Sequence, residues 1–309
     1  MRLVVAGSPA AAVPTLRRLA ASRHEIVAVL TRPATPQGRK RVLTPTPVAR
    51  AAEELGLPVI EAARVDDAVT ERIAALGPDL GVIVAYGALL PRPALDAPRL
   101  GWINLHFSAL PAYRGAAPVQ RAVLAGETET AAAVFQLVEG LDAGPVFASV
   151  PFPIPPEATA GEVLAQMALM GADIVGTVVD DIAADRAHAV DQEGVPTTAP
   201  KLTIADGRVS FDAPAGRVHA QVRGVTPEPG AFAFLGDVRV KLLRVAVPER
   251  TDATTDLRPG ALALDGDTVL VGTATRPLEL VEVQPAGKKP MAARAWVRGL
   301  GDLAAAVLS

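Results

Sequence analysis

Short apolar runs alternate with stretches of helical periodicity over the first half of the chain. The runs predicted as β-strands are residues 2–6, 25–30, 80–86, 102–107, 132–138 and 146–152. Helical stretches separate most of them, and this alternation is typical of a parallel sheet with crossover helices. The run 80–86 is apolar enough for a central strand that is buried on both faces. The pattern therefore predicts an α/β domain with a Rossmann-like, open, mostly parallel sheet.

Local signals mark where several of the helices begin and end. Thr46 and Pro47 have the residue types of an N-cap and a first helical position, and Gly56 stops the helix that they begin. Thr159 and Glu162 form a capping-box pattern at the start of a long apolar helix. We therefore expect helices over about 47–55 and from about 160 to 185.

The pattern changes in the last third of the chain. Apolar periodicity disappears over residues 188–205 in favour of Gly, Pro, Thr and charged residues, which indicates a linker. Beyond it, a short helical pattern is followed by β runs at 238–245, 261–264, 268–271 and 278–283. Such spacing predicts a small β-barrel or sandwich. We therefore expect domains at 1–187 and 206–309, joined by a linker at 188–205.

Composition narrows the class of protein. The chain has 309 residues, of which 50% are hydrophobic and 20% charged, as in globular proteins with two domains. The absence of cysteine excludes disulfides, thiolate zinc sites and a cysteine nucleophile, and fits a reducing cytoplasm. The first apolar run is broken at Gly7, and no later run reaches the roughly 18 apolar residues of a membrane helix. We therefore expect a cytoplasmic protein without a membrane partner.

Charge is unevenly distributed along the chain. A net charge of -3 gives no general attraction to nucleic acid, so such a partner needs a local basic patch. Residues 31–50 contain five basic and no acidic residues, including Arg39, Lys40 and Arg41. This stretch is either a phosphate-binding patch or a solvated surface loop.

Three polar residues are candidates for catalysis. Asn104 and His106 lie two positions apart at the end of a predicted strand, so both side chains project from one face. The carboxyl ends of the strands form the ligand-binding edge of an open parallel sheet. Asp142 lies in a loop between Gly140 and Gly144 and could orient the imidazole of His106. The asparagine amide could stabilise negative charge on a carbonyl oxygen that an amine attacks.

The same residues also fit a purely structural interpretation. Asn104 and His106 could be ordinary polar groups at a strand end, and Asp142 an ordinary turn residue. The opening strand and turn lack the G-x-G-x-x-G pattern, so a nucleotide-dependent oxidoreductase is disfavoured. Histidine and carboxylate spacing gives no metal-binding pattern, and we predict no metal.

Longer motifs resemble a known family. The segment INLHFSALPAYRGAAPVQRAVLAGETET, followed by GLDAG, is similar to the N-x-H-x-S-L-L-P-x-x-R-G and Asp-x-Gly motifs of folate-dependent formyltransferases. The resemblance implies that Asn104, His106 and Asp142 are catalytic and that 10-formyltetrahydrofolate donates the formyl group. It further implies that the loop of Ser108, Ala109, Leu110 and Pro111 contacts the folate. Phe107 and Ala109 depart from the residues usual in the family.

A folate also needs a pocket with apolar walls at the carboxyl ends of the strands. The run from residue 84 to residue 90 ends at that edge. We therefore predict a folate pocket formed by this run together with the 108–111 loop. The residues of this run that we expect to contact the folate are Val84, Tyr86, Gly87 and Leu89.

Three further stretches resemble the members of the family that act on methionyl-tRNA. These are RGAAPVQRA at 114–122, GRKRVLTPTPV at 38–48 and VQPAGKKPM at 283–291. The resemblance implies initiator Met-tRNA as the acceptor and an OB-like, tRNA-binding β-barrel at the C-terminus. Arg39, Lys40, Arg41, Lys288 and Lys289 are then candidates for tRNA binding, and the protein is expected to be a monomer.

Several alternatives stay open at this point. Another folate-dependent formyltransferase would use a sugar nucleotide or glycinamide ribonucleotide as the acceptor, and a hydrolase would use water. A non-catalytic RNA-binding protein built on the β domain is an alternative from a different class. For the basic residues of the C-terminal region, a solvated face is the competing interpretation.

Overall fold

The computed structural model describes residues 1–38, 40–248, 257–301, 303 and 305–309 of the chain. Two compact units share the chain, and neither is continuous in sequence. The first comprises Met1–Pro118, Thr130–Phe152 and Leu164–Pro200. The second comprises Val119–Glu129, Pro153–Val163 and Lys201–Ser309.

A seven-stranded sheet forms the centre of the first unit. The strands of the N-terminal half are β1 (Arg2–Gly7), β2 (Glu25–Thr31), β3 (Thr35–Gln37), β4 (Val42–Thr44), β5 (Val59–Glu61), β6 (Leu80–Val84), β7 (Trp102–His106), β8 (Glu129–Gln136) and β9 (Val146–Pro153). Their order in the sheet is β5-β2-β1-β6-β7-β8-β9, while β3 and β4 form a separate antiparallel hairpin. The first five strands of this order pair in parallel, and β8 pairs with β7 antiparallel.

Helices connect or follow the strands of this sheet. They are α1 (Val13–Ala20), α2 (Pro47–Glu54), α3 (Asp67–Ala75), α4 (Arg92–Leu95), α5 (Pro118–Ala125) and α6 (Ala160–Ala183), with a 3-10 turn at Ala10–Ala12 before α1. The capping signals act as expected: Thr46 Oγ1 accepts from Ala49 N at 3.0 Å. At α6, Thr159 N donates to Glu162 Oε2 at 2.8 Å and Glu162 N donates to Thr159 Oγ1 at 3.2 Å.

Burial on both faces of the central strands holds β7 in position. All five residues of β6 are buried, as its apolar run predicted. Gly81 of β6 leaves the space that the Trp102 ring fills, because a Cβ at residue 81 would overlap that ring. The indole Nε1 of Trp102 donates to Ala94 O at 2.8 Å, so this wholly buried side chain has its polar atom satisfied. β7 is thereby fixed at the sheet centre, with its carboxyl end at His106.

The C-terminal part of the second unit, from Lys201 onwards, has an antiparallel sheet with the helices α7 (Ala215–Gly224) and α8 (Ala293–Val297). Its strands are β10 (Phe232–Leu235), β11 (Val238–Ala246), β12 (Leu262–Asp265), β13 (Thr268–Val271), β14 (Leu278–Pro285) and β15 (Met291–Ala292), with a 3-10 turn at Ile204–Gly207. The strand order is β10-β11-β14-β13-β12, and β15 pairs with β14. Alternate residues such as Val240 and Leu242 enter the core, against Val218 and Val222 of α7.

The two edges of this sheet are joined only by isolated bridges. Near the C-terminus, Leu308 bridges to Leu235 of β10, and Val307 bridges to Ala261, just before β12. No strand ladder closes the sheet among the described residues. The predicted fold class, a Rossmann-like sheet followed by a small β domain, is confirmed, although the part of the chain that the structure describes shows no closed barrel.

One helix among the described residues is long and apolar enough to cross a membrane by length and composition. This helix is α6, and half of its most apolar stretch is buried within the protein. Core helices of soluble proteins meet the same criterion, so the finding is weak evidence for a membrane span.

Candidate active site

The carboxyl end of β7 presents two of the candidate residues. His106 is the last residue of the strand and is only 5% exposed, and Asn104 precedes it by two positions. Leu105 between them faces the opposite side, where it packs against Gly171 of α6. The strand period therefore places the asparagine and the histidine on the same face, as predicted.

The loop after β8 brings Asp142 next to the histidine. Asp142 Oδ2 lies 3.7 Å from His106 Nδ1 and accepts a hydrogen bond from Gly115 N at 2.7 Å. The backbone of Asp142 is left-handed, with φ at 45°. At Gly144, two residues later, a Cβ would overlap the carbonyl oxygen of Gln136. This loop thus depends on a left-handed aspartate and on a close approach that glycine permits.

The contacts of His106 determine where its proton sits. Its Nε2 lies 3.0 Å from the carbonyl oxygen of Tyr113, which can only accept a hydrogen bond. Nε2 therefore carries a hydrogen, and Nδ1, which faces Asp142, is the atom that gains or loses a proton. The aspartate contact is longer than a hydrogen bond but close enough to stabilise a charged imidazole.

Burial is the main influence on the charge of this histidine. It lowers the pKa of His106 below its ordinary value, because the charged form loses its hydration. The Asp142 carboxylate and the Tyr113 carbonyl oxygen oppose this by raising the pKa. The imidazole is therefore neutral near pH 7 and able to accept a proton at Nδ1.

Asn104 has an unsatisfied polar atom. Its Oδ1 is buried and has no hydrogen-bond partner within the described parts of the chain. Buried polar atoms are nearly always paired, so an unpaired one at a pocket wall indicates a group that a ligand would satisfy.

A pocket with a volume of about 390 Å³ opens beside these residues. Asn104 and Asp142 line it, and most of its other walls come from the segment after β6 and from the Asp142 loop. The other walls consist of Ile83, Ala85, Tyr86, Gly87, Ala88, Leu89, Leu90, Leu95, Gly115, Ala116, Leu137, Val138, Glu139, Gly140 and Leu141. Most of the lining is apolar, as a flat aromatic ligand requires. His106 is not in the lining, so it lies behind the surface that Asn104 and Asp142 present.

The predicted folate residues divide into two groups. Tyr86, Gly87 and Leu89 line the pocket, whereas Val84 is fully buried and does not. None of the four residues of the 108–111 loop lines this pocket. Their role in folate binding stays a prediction.

Within that loop, exposure differs from residue to residue. Ser108 is buried, and its Oγ donates to Ala112 O at 2.6 Å. Pro111 is also buried, whereas Ala109 is exposed and Leu110 is partly exposed. Phe107 is 6% exposed and likewise does not line the pocket.

None of the predicted basic residues that the structure describes lines this pocket. Lys40 and Arg41 are exposed between β3 and β4, and Arg39 lies outside the described residues. The hairpin also exposes Val42 and Leu43, at 60% and 67%. In the second unit, Lys288 and Lys289 are exposed after β14, in the region of a turn in which Lys288 N donates to Pro285 O at 3.0 Å.

Sequence reasoning missed the residues that support Asp142. Gln192 donates to Asp142 O at 2.7 Å and to Gly144 O at 2.8 Å, and Arg114 Nη2 donates to Gln192 Oε1 at 2.7 Å. Arg114 and Gly115 belong to the R-G pair of the formyltransferase-like motif, which was a usable signal. Gln192 lies in the aperiodic stretch predicted as a linker, where no sequence motif marks it as a functional residue.

Comparison with known proteins identifies the family. The family model described as formyl transferase matches residues 1–179, and the model of the formyl transferase C-terminal domain matches residues 201–301. The chain belongs to the formyl transferase family. The resemblance inferred from its motifs, and with it the expected class of one-carbon group transferase, is confirmed.

Curated relatives resemble the chain over nearly its full length. A methionyl-tRNA formyltransferase of Clavibacter michiganensis is 57% identical over 300 residues, covering 97% of each chain. A methionyl-tRNA formyltransferase of Arthrobacter is 56% identical over 299 residues, again covering 97% of each.

Solved structures share the fold at low sequence identity. The methionyl-tRNA formyltransferase of Clostridium thermocellum is 15% identical with a TM-score of 0.58, covering 81% of this chain and 95% of its own. An N-formyltransferase of Helicobacter canadensis, solved with folinic acid and dTDP-3-aminofucose, is 15% identical with a TM-score of 0.68. It covers 90% of this chain and 98% of its own, and at this identity the likeness concerns the fold alone.

Proposed function

We propose that this chain transfers the formyl group of 10-formyltetrahydrofolate to the α-amine of methionine on initiator tRNA, with Asn104, His106 and Asp142 as the catalytic residues. One observation carries the proposal for the site. Asn104 and Asp142 line the same apolar pocket, with the Nδ1 atom of a buried, neutral His106 directed at the carboxylate. Full-length relatives that are methionyl-tRNA formyltransferases support the choice of acceptor.

The reaction needs proton transfer and stabilisation of charge. When the methionine amine attacks the formyl carbon, its nitrogen must lose a proton and the carbonyl oxygen becomes negative. His106 Nδ1 takes the proton, directly or through a water, and the Asp142 carboxylate stabilises the resulting imidazolium. The histidine then returns the proton to the folate nitrogen that leaves, so no covalent intermediate with the protein is needed.

Asn104 acts on the oxygen of the formyl group. Its side chain lies at the pocket wall, and the amide nitrogen is the group that can donate to that oxygen. A neutral donor in a pocket that excludes water can stabilise the developing oxyanion by several kcal/mol, on the order of 3. The apolar walls near Tyr86 and Leu89 would hold the folate ring.

The basic residues provide the sites for tRNA. Lys40 and Arg41 with their neighbour Arg39, and separately Lys288 and Lys289, would neutralise phosphates, since an acidic protein needs local patches to hold a polyanion. We propose a catalytic role for the region 1–187 and a tRNA-binding role for the region 206–309, which shares its compact unit with residues 119–129 and 153–163. We further propose a monomer and location in the cytoplasm.

An assay with competing acceptors tests the function. The protein would be incubated with 10-formyltetrahydrofolate labelled in the formyl group and, separately, with Met-tRNA, glycinamide ribonucleotide, an amino-sugar nucleotide or water alone. We expect label only on Met-tRNA. Transfer to another acceptor, or release of formate at the same rate without an acceptor, would refute the assignment.

A further inference from the structure

The segment of residues 190–199 lies against both loops that carry the candidate site. Val190 and Val146 exchange two backbone hydrogen bonds, at 2.7 and 2.9 Å, next to the Asp142 loop. Farther along, Thr197 N donates to Pro111 O at 3.2 Å and Arg114 N donates to Thr197 O at 2.9 Å. One stretch of chain therefore joins the loop after β7 to the loop before β9.

Gln192 is the residue of this segment that reaches the Asp142 loop with its side chain. Its Nε2 donates to Asp142 O at 2.7 Å and to Gly144 O at 2.8 Å. Its Oε1 accepts from Arg114 Nε at 3.2 Å and from Arg114 Nη2 at 2.7 Å. Both hydrogens and the oxygen of the amide are thus used, which only a side-chain amide of this length can do.

Arg114 and Gly115 support both the side chain and the backbone of Asp142. Gly115 N donates to the Asp142 carboxylate, and Arg114 holds the Gln192 amide that binds the Asp142 backbone. Tyr113, the preceding residue, offers the carbonyl oxygen to His106. Three consecutive residues and one glutamine therefore set the separation of the imidazole and the carboxylate.

Backbone strain in the two loops is consistent with this support. Tyr113 and Asp142 are non-glycine residues with left-handed backbones, at φ 58° and 45°. Such conformations persist only where surrounding contacts impose them, and they are concentrated at functional sites. The hydrogen bonds of Gln192 and Thr197 are the contacts that impose them here, since Tyr113 N donates to Thr197 Oγ1 at 2.8 Å.

We propose that Gln192 is a positioning residue for formyl transfer: its amide fixes the backbone of the Asp142 loop and so places the carboxylate beside Nδ1 of His106. The roles of His106 and Asp142 rest on the proposed function. Gln192 itself touches neither of the reacting groups, so its effect passes through Asp142.

Two variants and one control separate positioning from general stability. Gln192→Met keeps the length of the side chain and removes every hydrogen bond. Gln192→Glu keeps acceptors for Arg114 and removes the donor to the Asp142 loop, so the anchoring to Arg114 survives. Glu193→Gln changes the exposed neighbour and should behave as wild type.

Kinetics give the first measurement. We expect both Gln192 variants to lower kcat for Met-tRNA by about 10- to 100-fold, with KM for tRNA and folate within about twofold, because a displacement of about 1 Å can cost that much. Thermal unfolding, compared with the control, checks that Gln192→Glu is folded at the temperature of the assay. If Gln192→Glu turns over like wild type, the proposal is wrong, even if Gln192→Met does not fold.

Titration of the His106 ring by NMR tests the inference without any turnover. The ring contacts Asp142 in one loop, the Tyr113 carbonyl in the other, and the Phe135 ring of β8 at 6.3 Å. If Asp142 moves away in Gln192→Met, His106 loses the carboxylate that raises its pKa, so its titration shifts to lower pH. An unchanged titration would overturn the positioning role. A wild-type protein that does not formylate Met-tRNA would refute the proposed function, while the titration would still test the support of Asp142.

Discussion

Gly144→Ala should lower turnover through a single close contact. Gly144 lies two residues after Asp142, and a Cβ there would overlap the carbonyl oxygen of Gln136. The separation would be far below 3.0 Å, the shortest distance at which real Cβ atoms approach other heavy atoms. Gln136 is the last residue of β8 and is held in the sheet. The loop, and not the strand, must therefore move.

The size of the effect follows from that movement. Relief of the overlap requires a shift on the order of 1 Å in the loop, and misplacement by this amount can cost about 100-fold in rate. At about 1.36 kcal/mol per tenfold, this equals a loss of about 2.7 kcal/mol of transition-state stabilisation. Crowding of this kind also destabilises folded proteins by roughly 1–3 kcal/mol.

Gly140→Ala provides a matched control in the same loop. A Cβ at Gly140 would lie 3.0 Å from Ala143 Cβ, so the neighbour needs to yield by only a few tenths of an ångström. Neither glycine has a positive φ, so alanine fits both backbones. Gly140 also lines the pocket, so the contrast is drawn in kcat at saturating folate, where a change in folate affinity has no effect.

The assay compares kcat for Met-tRNA in wild type and the two variants, with thermal unfolding as a check on folding. We expect Gly144→Ala to lose about 100-fold and Gly140→Ala less than about threefold. A Gly144→Ala protein with kcat within about threefold of wild type would show that the loop position does not control the chemistry.

Three further predictions concern the site, pH and tRNA. His106→Ala and Asn104→Ala should each lower kcat by about 100-fold or more with little change in tRNA binding, and full turnover by a folded variant would contradict the assignment. Because burial lowers the pKa of His106 and His219, the unfolded chain binds protons more readily. The free energy of unfolding should therefore be highest above the pKa that these histidines have in the unfolded chain, about 6.5, and should fall as the pH drops toward their lower pKa in the folded protein. His219→Gln should make the accompanying decline in Tm less steep. Alanine at residues 39–41 should weaken Met-tRNA use and flatten its salt dependence, by close to one unit of log-log slope for each phosphate that the protein no longer binds, while leaving KM for the folate intact.

Elements set by local chemistry were predictable from the sequence. The Thr46 and Thr159 caps, the buried run of β6 and the shared face of Asn104 and His106 depend on residues within a few positions of one another. The β3–β4 hairpin was missed because its strands are three residues long and mostly exposed, so no apolar alternation marks them.

Support between distant segments could not be predicted from local patterns. Gln192 acts 50 residues from Asp142, and glutamine in an aperiodic stretch has no distinctive signal. The antiparallel insertion of β8 into the sheet was equally hidden, since its apolar run reads the same in either direction. Neither feature follows from spacing along the chain.

The second unit is built from three separate segments of the chain, and this limits when it can fold during synthesis. His219 binds Glu157 at 3.0 Å, Arg121 binds Asp206 at 3.1 Å, and Gly224 lies against Leu124. All six residues belong to this unit, although the two members of each pair come from different segments of the chain. During synthesis, residues 119–129 and 153–163 leave the ribosome long before most of the chain they pack against. These two segments therefore lack their packing partners until residues 201–309 have been synthesised. A fusion that transplants only residues 201–309 onto another protein would likewise omit two of the three segments from which this unit is built.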